Sequence, residues 1–330
     1  MQHVRFGRTG LHVSRLCLGT MTFGLQCDER TSFAILDAAA AGGITFLDTA
    51  NAYPLGGKLE DMGRTEAILG KWLKGKREQF VIATKCSGKM GDAPWQQGTS
   101  RKHVLGAIDE SLRRLGTDYV DLYQVHHFDA NTPVDETVEA FDAVVKAGKA
   151  RYVGVSNYHA YRVARALGRA EALRLTRLVS VQPRYNLLFR QIERELLPFC
   201  AEEGLAVIPY NPLAGGLLTG KHQRAAPPPA GTRFTLGAAA KTYTERYWQE
   251  REFDTVAAFV KLARDAAHEP ATLAVAWVLA HPAVTSPLIG ASKPEQLKAS
   301  IAAADLKLDP ALKAKLDELS HEYRMGDAAR

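Results

Sequence analysis

The chain has 330 residues, of which 46% are hydrophobic, so it is long enough to bury a large core. Its formal net charge is +6, from 42 basic and 36 acidic residues, and no basic stripe carries interleaved aromatic residues, which argues against a nucleic-acid-binding protein. No apolar run approaches the roughly 18 residues of a membrane span, and the first residues lack the apolar core of a signal peptide. The four cysteines are scattered without a C-x-x-C pair, so we expect no metal site, no disulfide framework and a cytoplasmic location.

The pattern along the chain begins with a short hairpin and continues as an alternation of strands and helices. The hairpin is predicted over residues 1–14, around the turn from Gly7 to Gly10. The predicted strands that follow are 15–19, 45–47, 80–85, 119–126, 151–156, 178–182, 205–210 and 287–290. The predicted helices are 29–41, 64–74, 100–115, 134–146, 160–173, 192–203, 253–266 and 271–279, with two more that begin at Pro294 and Asp309.

These elements predict an α/β fold, a (β/α)8 TIM barrel with an N-terminal β-hairpin and C-terminal helices, because eight strand–helix units with apolar strands are typical of it. An open doubly wound sheet is the alternative, and it is disfavoured because no G-x-G-x-x-G follows any strand. We expect residues 1–330 to form a single domain, with a C-terminal helix and tail over 309–330 that frays from Met325 onward. Residues 213–251, after the seventh strand, are predicted to form a long irregular loop, since Pro227–Pro229 fits neither a helix nor a ladder.

Four side chains with different acid–base properties fall at the ends of neighbouring predicted strands. The second strand ends at Asp48, the third at Lys85 and the fourth at His126, and Tyr53 lies on the loop after the second strand. Each residue alone also fits a structural role, as a helix cap, a surface lysine, a buried histidine or a packed ring. Because the strand ends of a barrel converge on one face, we expect the four side chains to form one site.

A phenol beside an ammonium group can donate a proton to a carbonyl oxygen. A free tyrosine has a pKa near ~10, too high for efficient acid–base catalysis at neutral pH, and a nearby ammonium lowers it. A carboxylate keeps the ammonium charged, and an imidazole can orient the substrate oxygen. No side chain supplies a hydride, so a reductase built on these four residues needs a reduced nicotinamide.

The motifs along the chain resemble those of the aldo-keto reductases, in the branch that includes bacterial reductases and the potassium-channel β-subunits. The matching segments are 6–10, 47–53, 83–85, 121–126, 154–157, 181–182, 212–216 and 290–297, which extend over nearly the whole chain. The resemblance implies an enzyme that reduces an aldehyde or ketone with NADPH. It implies Asp48, Tyr53, Lys85 and His126 as catalytic residues, with Tyr53 as the acid. His127 is the alternative imidazole, and because adjacent strand residues face opposite ways, we expect only one histidine to point into the site.

The same resemblance implies where the cofactor and the substrate bind, with residues 213–251 as a loop that borders both. The residues that it assigns to NADPH are Gly19, Thr20, Met21, Asp48, Ser156, Asn157, Gln182, Tyr210, Asn211, Pro212, Leu213, Ala214, Gly215, Leu218, Gly220, Lys221, Arg233, Gly290, Ser292, Gln296 and Ser300. Tyr210 would stack on the nicotinamide, and Arg233 would bind the phosphate that distinguishes NADPH from NADH. The predicted substrate-lining residues are Tyr53, Trp95, His126, His127, Tyr243 and Trp248, which suit an aromatic or aliphatic carbonyl compound or a keto-sugar.

Two other functions remain open on the sequence. One is a barrel lyase that uses Lys85 as a Schiff-base nucleophile. The other is a nicotinamide-binding regulatory subunit, although the channel subunits typically carry asparagine at the position of His126. A nucleotide-hydrolysing P-loop is not expected, because His222 follows Gly215–Lys221 where G-x-x-x-x-G-K-[ST] needs a hydroxyl. Ala299-Ser300 replaces the Glu-Asn pair that the family often has near the adenine, so we expect different contacts there.

Overall fold

A hairpin opens the chain and closes one end of the barrel in the computed structural model, which describes residues 1–325. Its strands, β1 (His3–Arg5) and β2 (His12–Ser14), pair antiparallel with Val4 opposite Val13. The hairpin is therefore in the predicted place. Residues 326–330 of the predicted frayed tail lie outside the described residues.

Eight parallel strands form the barrel. They are β3 (Cys17–Gly19), β4 (Phe46–Asp48), β5 (Val81–Cys86), β6 (Val120–Val125), β7 (Ala150–Ser156), β8 (Ser180–Gln182), β9 (Ala206–Val207) and β10 (Leu288–Ile289). They pair in the order β10-β3-β4-β5-β6-β7-β8-β9. The ring is closed by hydrogen bonds of 2.8 Å from Thr285 N to Val207 O and from Leu288 N to Pro209 O. The predicted (β/α)8 barrel is therefore confirmed, and the open doubly wound sheet does not apply.

Helices follow the strands and cover the outside of the barrel. They are α1 (Glu29–Ala41), α2 (Arg64–Leu73), α3 (Arg101–Leu115), α4 (Val134–Lys146), α5 (Ala160–Ala172), α6 (Leu196–Glu203), α7 (Ala239–Tyr247), α8 (Glu250–Asp265), α9 (Pro270–Leu279), α10 (Leu297–Ala302) and α11 (Pro310–Leu319). Local sequence sets their ends: the Ser100 hydroxyl accepts a hydrogen bond from His103 N at the start of α3, and Gly116 ends that helix with a φ of 65°. Among residues 1–325 there is no helix with the length and apolar character of a membrane span.

Two apolar cores flank the strands. The outer core lies between the strands and the helices, and the inner core fills the hairpin end of the barrel. In the inner core Phe6 packs edge-on against Phe46, with ring centroids 5.8 Å apart. Gly7 has a φ of +58°, and a Cβ there would lie 2.6 Å from Gly204 O, so a side chain would prevent the hairpin from docking this closely. The opposite end, where the strands finish, is left for the side chains of a site.

The segment predicted as an irregular loop over 213–251 differs most from the prediction. It contains two short 3₁₀ helices, Ala214–Thr219 and Arg233–Thr235, then α7 and the start of α8. Tyr243 and Tyr247 stand one turn apart on α7 and are both buried, so tertiary packing stabilises a helix that has no long apolar pattern. The irregular-loop prediction is therefore wrong over 239–247, whereas Pro227–Pro229 lies outside helices and strands as expected.

Smaller differences concern strand and helix boundaries. The strands β9 and β10 have two residues each, and single bridges such as Tyr210 opposite Leu288 continue the pairing where longer strands were predicted. The helix predicted from residue 192 begins instead at Leu196, after a 3₁₀ turn over Gln191–Glu193. The assignment of the chain to a single domain stays a prediction.

Candidate active site

The four acid–base residues predicted from the sequence lie together at the carboxyl ends of the strands. Asp48 ends β4, Lys85 lies near the end of β5, and His126 directly follows β6. Lys85 Nζ donates hydrogen bonds to Asp48 Oδ1 and, at 2.8 Å, to the carbonyl oxygen of Thr49. The same Nζ lies 3.5 Å from the hydroxyl of Tyr53. An ammonium, a carboxylate and a phenol are thus in direct contact.

Burial and charge together decide the protonation states of this centre. The side chains of Lys85 and Asp48 are 0% and 1% exposed. Burial works against the charged Lys85 amine, but the charge of Asp48 and the contact with Tyr53 outweigh it, so the pKa of Lys85 is raised. For Tyr53, burial disfavours the charged phenolate and so raises the pKa of the hydroxyl above its ordinary value, although the charge of Lys85 opposes the rise. A net lowering of the tyrosine pKa by the ammonium is therefore not found, and the phenol holds its proton at neutral pH.

Two glutamines fix the second carboxylate oxygen of Asp48. Gln182 Nε2 donates to Asp48 Oδ2 at 2.8 Å, and Gln124 Nε2 donates to the same oxygen at 3.2 Å. The role of Gln124 was missed from the sequence. A signal for it was present, since Gln124 stands two residues before His126 and opposite Lys85 in the β5–β6 ladder.

His126 and His127 both lie at the mouth of the site. The His126 ring meets the Tyr53 ring edge-on at 5.5 Å between centroids and stacks on the His127 ring at 4.4 Å. The expectation that the two histidines face opposite ways is wrong, because both follow Val125, the last residue of β6, and strand alternation no longer applies. Burial, with the charge of Lys85, lowers the pKa of His126 well below its usual range, so this imidazole is neutral near pH 7.

A polar network continues from the histidines along the neighbouring strand ends. Asn157, which follows β7 with a φ of 58°, donates from Nδ2 to His126 O at 2.9 Å. Its Oδ1 accepts a hydrogen bond of 2.8 Å from the Tyr210 hydroxyl. Ser156 Oγ donates to Gln182 O at 2.8 Å. The structure thus brings Ser156, Asn157 and Tyr210 to the rim of the site, and their assignment to the nicotinamide stays a prediction.

A second group of predicted cofactor residues forms a cationic cradle on the loop after β9. Gly215 and Gly216 have φ angles of 70° and 102°, and a Cβ on Gly216 would lie 3.7 Å from Lys221 Nζ. Burial and the charge of Arg233 lower the pKa of Lys221, so the two cations are neighbours. Nη1 of Arg233 is buried, with no hydrogen-bond partner among residues 1–325. A turn of two glycines with positive φ, two adjacent cations and an unsatisfied guanidinium nitrogen fit a phosphate group.

A cavity of about 590 Å³ lies near this cradle. Its lining residues are Leu25, Gln26, Gly56, Ala230, Gly231, Leu236, Gly237, Ser292 and Lys293. Gln26 Nε2 donates to Gly231 O at 2.5 Å, which joins the loop after β3 to the long loop after β9. Of the predicted cofactor residues, Ser292 lines the cavity, and Gln296 Oε1 accepts from Ser292 N at 2.9 Å.

The remaining predicted residues divide into those near the strand ends and those elsewhere. Thr20 Oγ1 donates to Asp48 O at 2.9 Å, and Asn211 Oδ1 accepts from Gly215 N at 2.7 Å. Gly19 and Met21 adjoin Thr20 in sequence, a Cβ on Gly290 would lie 3.6 Å from Gly19 O, and Pro212, Leu213 and Ala214 connect Asn211 to Gly215. Leu218 is buried, and Gly220 packs against α8, where a Cβ on it would lie 2.6 Å from the Val260 side chain. By contrast Ser300 is buried on α10, and Trp95 is 56% exposed on the loop after β5.

The two aromatic residues predicted from the long loop have different surroundings. Tyr243 is buried, and its ring would lie 2.8 Å from a Cβ on Gly215. Trp248 packs instead against Phe234 and His222, with ring centroids 4.7 and 5.3 Å away. Tyr243 is therefore beside the predicted cofactor loop, and Trp248 belongs to an aromatic cluster behind it.

A further cavity, of about 470 Å³, lies away from the four acid–base residues. Its lining includes Arg190, Trp277, His281 and Asp317. Arg190 pairs with Glu193 at 2.7 Å and with Asp317 at 3.4 Å, so the charges there are satisfied within the fold. We assign no chemistry to this cavity.

Comparison with known proteins gives consistent matches over nearly the whole chain. The model of the Aldo/keto reductase family matches residues 15–321. The chain is 41% identical to "Uncharacterized oxidoreductase YrpG" of Bacillus subtilis, with 97% of this chain and 96% of that protein covered. It is 38% identical to "Protein tas" of Escherichia coli, with 98% of this chain and 99% of that protein covered. It is 35% identical to "Probable voltage-gated potassium channel subunit beta" of Arabidopsis thaliana, with 97% of this chain and 96% of that protein covered.

Proposed function

The chain belongs to the aldo/keto reductase family, and we propose that it is an NADPH-dependent reductase that converts an aldehyde or ketone to an alcohol. The family comprises oxidoreductases that act on small carbonyl compounds with a nicotinamide cofactor. The observation that carries the proposal is the position of Lys85, buried at the strand ends with its ammonium between Asp48 and Tyr53. This arrangement supports proton donation from a phenol beside a fixed positive charge.

In the proposed reaction, Tyr53 donates its hydroxyl proton to the carbonyl oxygen as the carbonyl carbon accepts a hydride. The resulting phenolate lies beside the Lys85 ammonium, 3.5 Å away, which stabilises it. Asp48 keeps that ammonium charged, and the Thr49 carbonyl oxygen fixes its direction at 2.8 Å. Burial keeps the pKa of Tyr53 high, so the phenol carries its proton over the neutral pH range. The raised pKa also makes the phenol a weaker acid, and the charge of Lys85 opposes that rise.

His126 orients the substrate in this proposal. Its lowered pKa keeps the ring neutral, so one ring nitrogen carries a proton that can be donated to the carbonyl oxygen. Its Nδ1 is buried and has no partner among residues 1–325. The edge-on contact with Tyr53 places the imidazole and the phenol on the same side of the site.

The residues of this chain fit a phosphorylated dinucleotide. Ser156, Asn157, Gln182 and Tyr210 would hold the nicotinamide end, and the cradle of Gly215, Gly216, Lys221 and Arg233 would hold phosphate. A reduced nicotinamide, when bound, supplies the hydride. The paired cations Lys221 and Arg233 support NADPH over NADH, because the extra phosphate adds about two negative charges.

The other functions left open by the sequence have less support. A Schiff-base lyase needs a neutral amine, whereas the raised pKa of Lys85 keeps this amine charged. A regulatory subunit is favoured by the relative named as a channel subunit, which is 35% identical. A regulatory subunit would not need a proton-donating centre, and the contact of Lys85 with Asp48 and Tyr53 supports one in this chain.

The proposal is tested by NADPH consumption with a panel of aldehydes, ketones and quinones. Tyr53→Phe should lower turnover on the order of 10² to 10⁴-fold, the usual effect of removing one acid–base group. NADPH binding, measured by fluorescence, should persist in the variant. Tyr161→Phe is the matched control, because Tyr161 is 63% exposed on α5. Turnover near the wild-type rate in Tyr53→Phe would overturn the mechanism.

A further inference from the structure

The glycine-rich segment Gly215–Lys221 is followed by a residue that the proposed mechanism does not use. His222 stands where a P-loop would have a hydroxyl, and the fold buries this histidine to 7% exposure. Neither Nδ1 nor Nε2 of its ring has a hydrogen-bond partner among residues 1–325. Burial of unpaired ring nitrogens costs free energy, because they have lost water and gained no partner in exchange. The free protein thus carries an unsatisfied polar group beside the proposed cofactor cradle.

Aromatic contacts hold the His222 ring without using its nitrogens. Phe234 and Trp248 meet the ring edge-on, with centroids 5.2 and 5.3 Å away. Phe234 lies in the 3₁₀ helix Arg233–Thr235, so the segment that packs on the ring also carries the guanidinium of the cradle. The position of the imidazole is therefore tied to that of Arg233.

The His222 ring is directed at the glycine turn of the cradle. Gly216 has a φ of 102°, and a Cβ on it would lie 3.8 Å from His222 Nε2 and 3.7 Å from Lys221 Nζ. Apart from the sequence neighbours of Gly216, no heavy atom of residues 1–325 lies closer to that position. The space beside this glycine therefore faces an imidazole nitrogen and an ammonium group at the same time.

The charges around this space favour an anion. Lys221 is next to His222 in sequence, and Nη1 of Arg233 is a second buried donor without a partner in the described chain. The acids nearest along the loop are engaged elsewhere, since Glu250 and Asp254 both pair with Arg224 at 2.9 Å. Unpaired donors and positive charge on one small space are the properties of a phosphate site.

The His222 ring is suited to donate one hydrogen bond there. Burial and the charge of Lys221 lower the pKa of His222 to about 4, so the ring is neutral near pH 7. A neutral imidazole carries its proton on either nitrogen, and an oxygen anion beside Gly216 selects the tautomer with the proton on Nε2.

From this geometry, and resting on the proposed use of a nicotinamide dinucleotide, we infer that His222 binds a phosphate group of the cofactor through Nε2, beside Lys221. The phosphate is either the 2′-phosphate, which only NADPH carries, or the pyrophosphate, which NADPH and NADH share. In both cases the ligand supplies the hydrogen-bond partner that His222 lacks in the free protein.

Binding and stability measurements on three variants test this inference. Fluorescence titration gives the Kd of NADPH and of NADH, and chemical denaturation gives the stability of each free protein. His222→Phe keeps a ring against Phe234 and Trp248 and removes both nitrogens, whereas His222→Gln keeps an amide donor. Gln223→Leu is the matched control, because Gln223 is the next residue and is exposed.

His222→Phe should raise the Kd of NADPH about tenfold, as expected for the loss of a hydrogen bond to a charged group. His222→Gln should stay within about threefold of the wild type, and Gln223→Leu within about twofold. A loss in His222→Phe that is confined to NADPH identifies the 2′-phosphate, and an equal loss for NADPH and NADH identifies the pyrophosphate. The free His222→Phe protein should be at least as stable as the wild type, because unpaired buried nitrogens are removed.

The stability measurement distinguishes a binding role from a packing role, since a packing role would lower stability and affinity together. Unchanged affinity of His222→Phe for both nucleotides would overturn the inference alone. So would an equal loss in His222→Gln or Gln223→Leu, or a loss of affinity accompanied by a loss of stability. Failure of the wild type to bind either nucleotide would overturn the proposed function, and this inference with it.

Discussion

Gln182 on β8 donates a hydrogen bond of 2.8 Å to Oδ2 of Asp48 on β4. Asp48 receives this bond across the barrel, along with a longer one from Gln124 on β6. One carboxylate oxygen is thereby occupied by amides, and the other is left for the Lys85 ammonium. The direction of the Lys85 side chain toward Tyr53 consequently depends on residues from three strands other than its own, which are β4, β6 and β8.

Replacement of Gln124 by methionine tests this dependence. Gln124→Met keeps the side-chain length and removes the bond of 3.2 Å to Asp48. We expect kcat to fall by roughly three- to tenfold, with KM changed less, because the loss of one such bond costs about 0.7 to 1.4 kcal/mol. Steady-state kinetics with the best carbonyl substrate measure it. Cys86→Ala, at another buried position near the site, is the control, and an equal fall there would attribute the effect to general packing.

Lys85 and Asp48 form a buried ion pair, and the removal of one partner should affect both stability and activity. Lys85→Met should abolish most reduction and also destabilise the fold by on the order of 3 to 5 kcal/mol, because Asp48 is left buried and unpaired. The double variant Asp48→Asn/Lys85→Met should recover most of that stability but none of the activity. Chemical denaturation and turnover separate the two effects. A borohydride-stable adduct on wild-type Lys85, formed with substrate and without NADPH, would instead favour the lyase.

The cofactor preference depends on Arg233 in the proposed cradle. Arg233→Ala should weaken NADPH binding about tenfold to a hundredfold, as expected for the loss of a charge-assisted contact of roughly 1.5 to 3 kcal/mol, and NADH binding much less. Arg224→Ala on the same loop is the control, since Arg224 pairs with Glu250 and Asp254 at 2.9 Å each. Fluorescence titration with both cofactors decides the matter. Equal losses for NADPH and NADH, or tighter NADH binding by the wild type, would contradict the assignment.

The acid stability of the protein should depend on His222. This residue is 7% exposed, and neither ring nitrogen has a hydrogen-bond partner among residues 1–325. Burial, with the charge of Lys221, lowers its pKa to about 4. The unfolded chain, with an ordinary histidine pKa near ~6.5, takes up a proton first as pH falls, so the folded state loses stability between that pH and about 4.

His222→Leu should therefore lose less stability than the wild type over this range, by at most on the order of 3 kcal/mol. Urea denaturation at several pH values gives the free energy of unfolding, and its slope against pH is compared between the variant and the wild type. His159→Gln, at an exposed histidine, should follow the wild type. Parallel slopes for His222→Leu and the wild type would show that His222 does not titrate in this way.

Sequence reasoning located the barrel because its signals are local and repeated. Apolar strands, helix caps such as Ser100 and glycine stops such as Gly116 each act over a few residues. The four acid–base residues could be grouped because every barrel strand ends on the same face. In both cases the place of a residue on its strand or helix can be read from a few residues, and the repeated geometry of the barrel then fixes where that residue lies in three dimensions.

The parts that could not be predicted depend on contacts distant in sequence. Helix α7 forms because Tyr243 and Tyr247 are buried by other segments, and nothing in its own pattern demands a helix. The parallel stacking of His126 on His127 depends on where β6 stops, and strand boundaries are poorly defined by sequence. The net pKa of Tyr53 depends on how completely the fold buries it, which competes with the charge of Lys85.

The docking of the N-terminal hairpin has a consequence for synthesis of the chain. Arg8 N donates to Gly204 O at 2.8 Å, and Gly7 tolerates no side chain at that contact. The segment against which the hairpin docks is thus synthesised long after the hairpin itself. Until residues 204–206 emerge, Phe6 lacks its partner surface on that side, so the hairpin stays partly uncovered in the growing chain. Chaperone occupancy on nascent chains should end only after that point of translation.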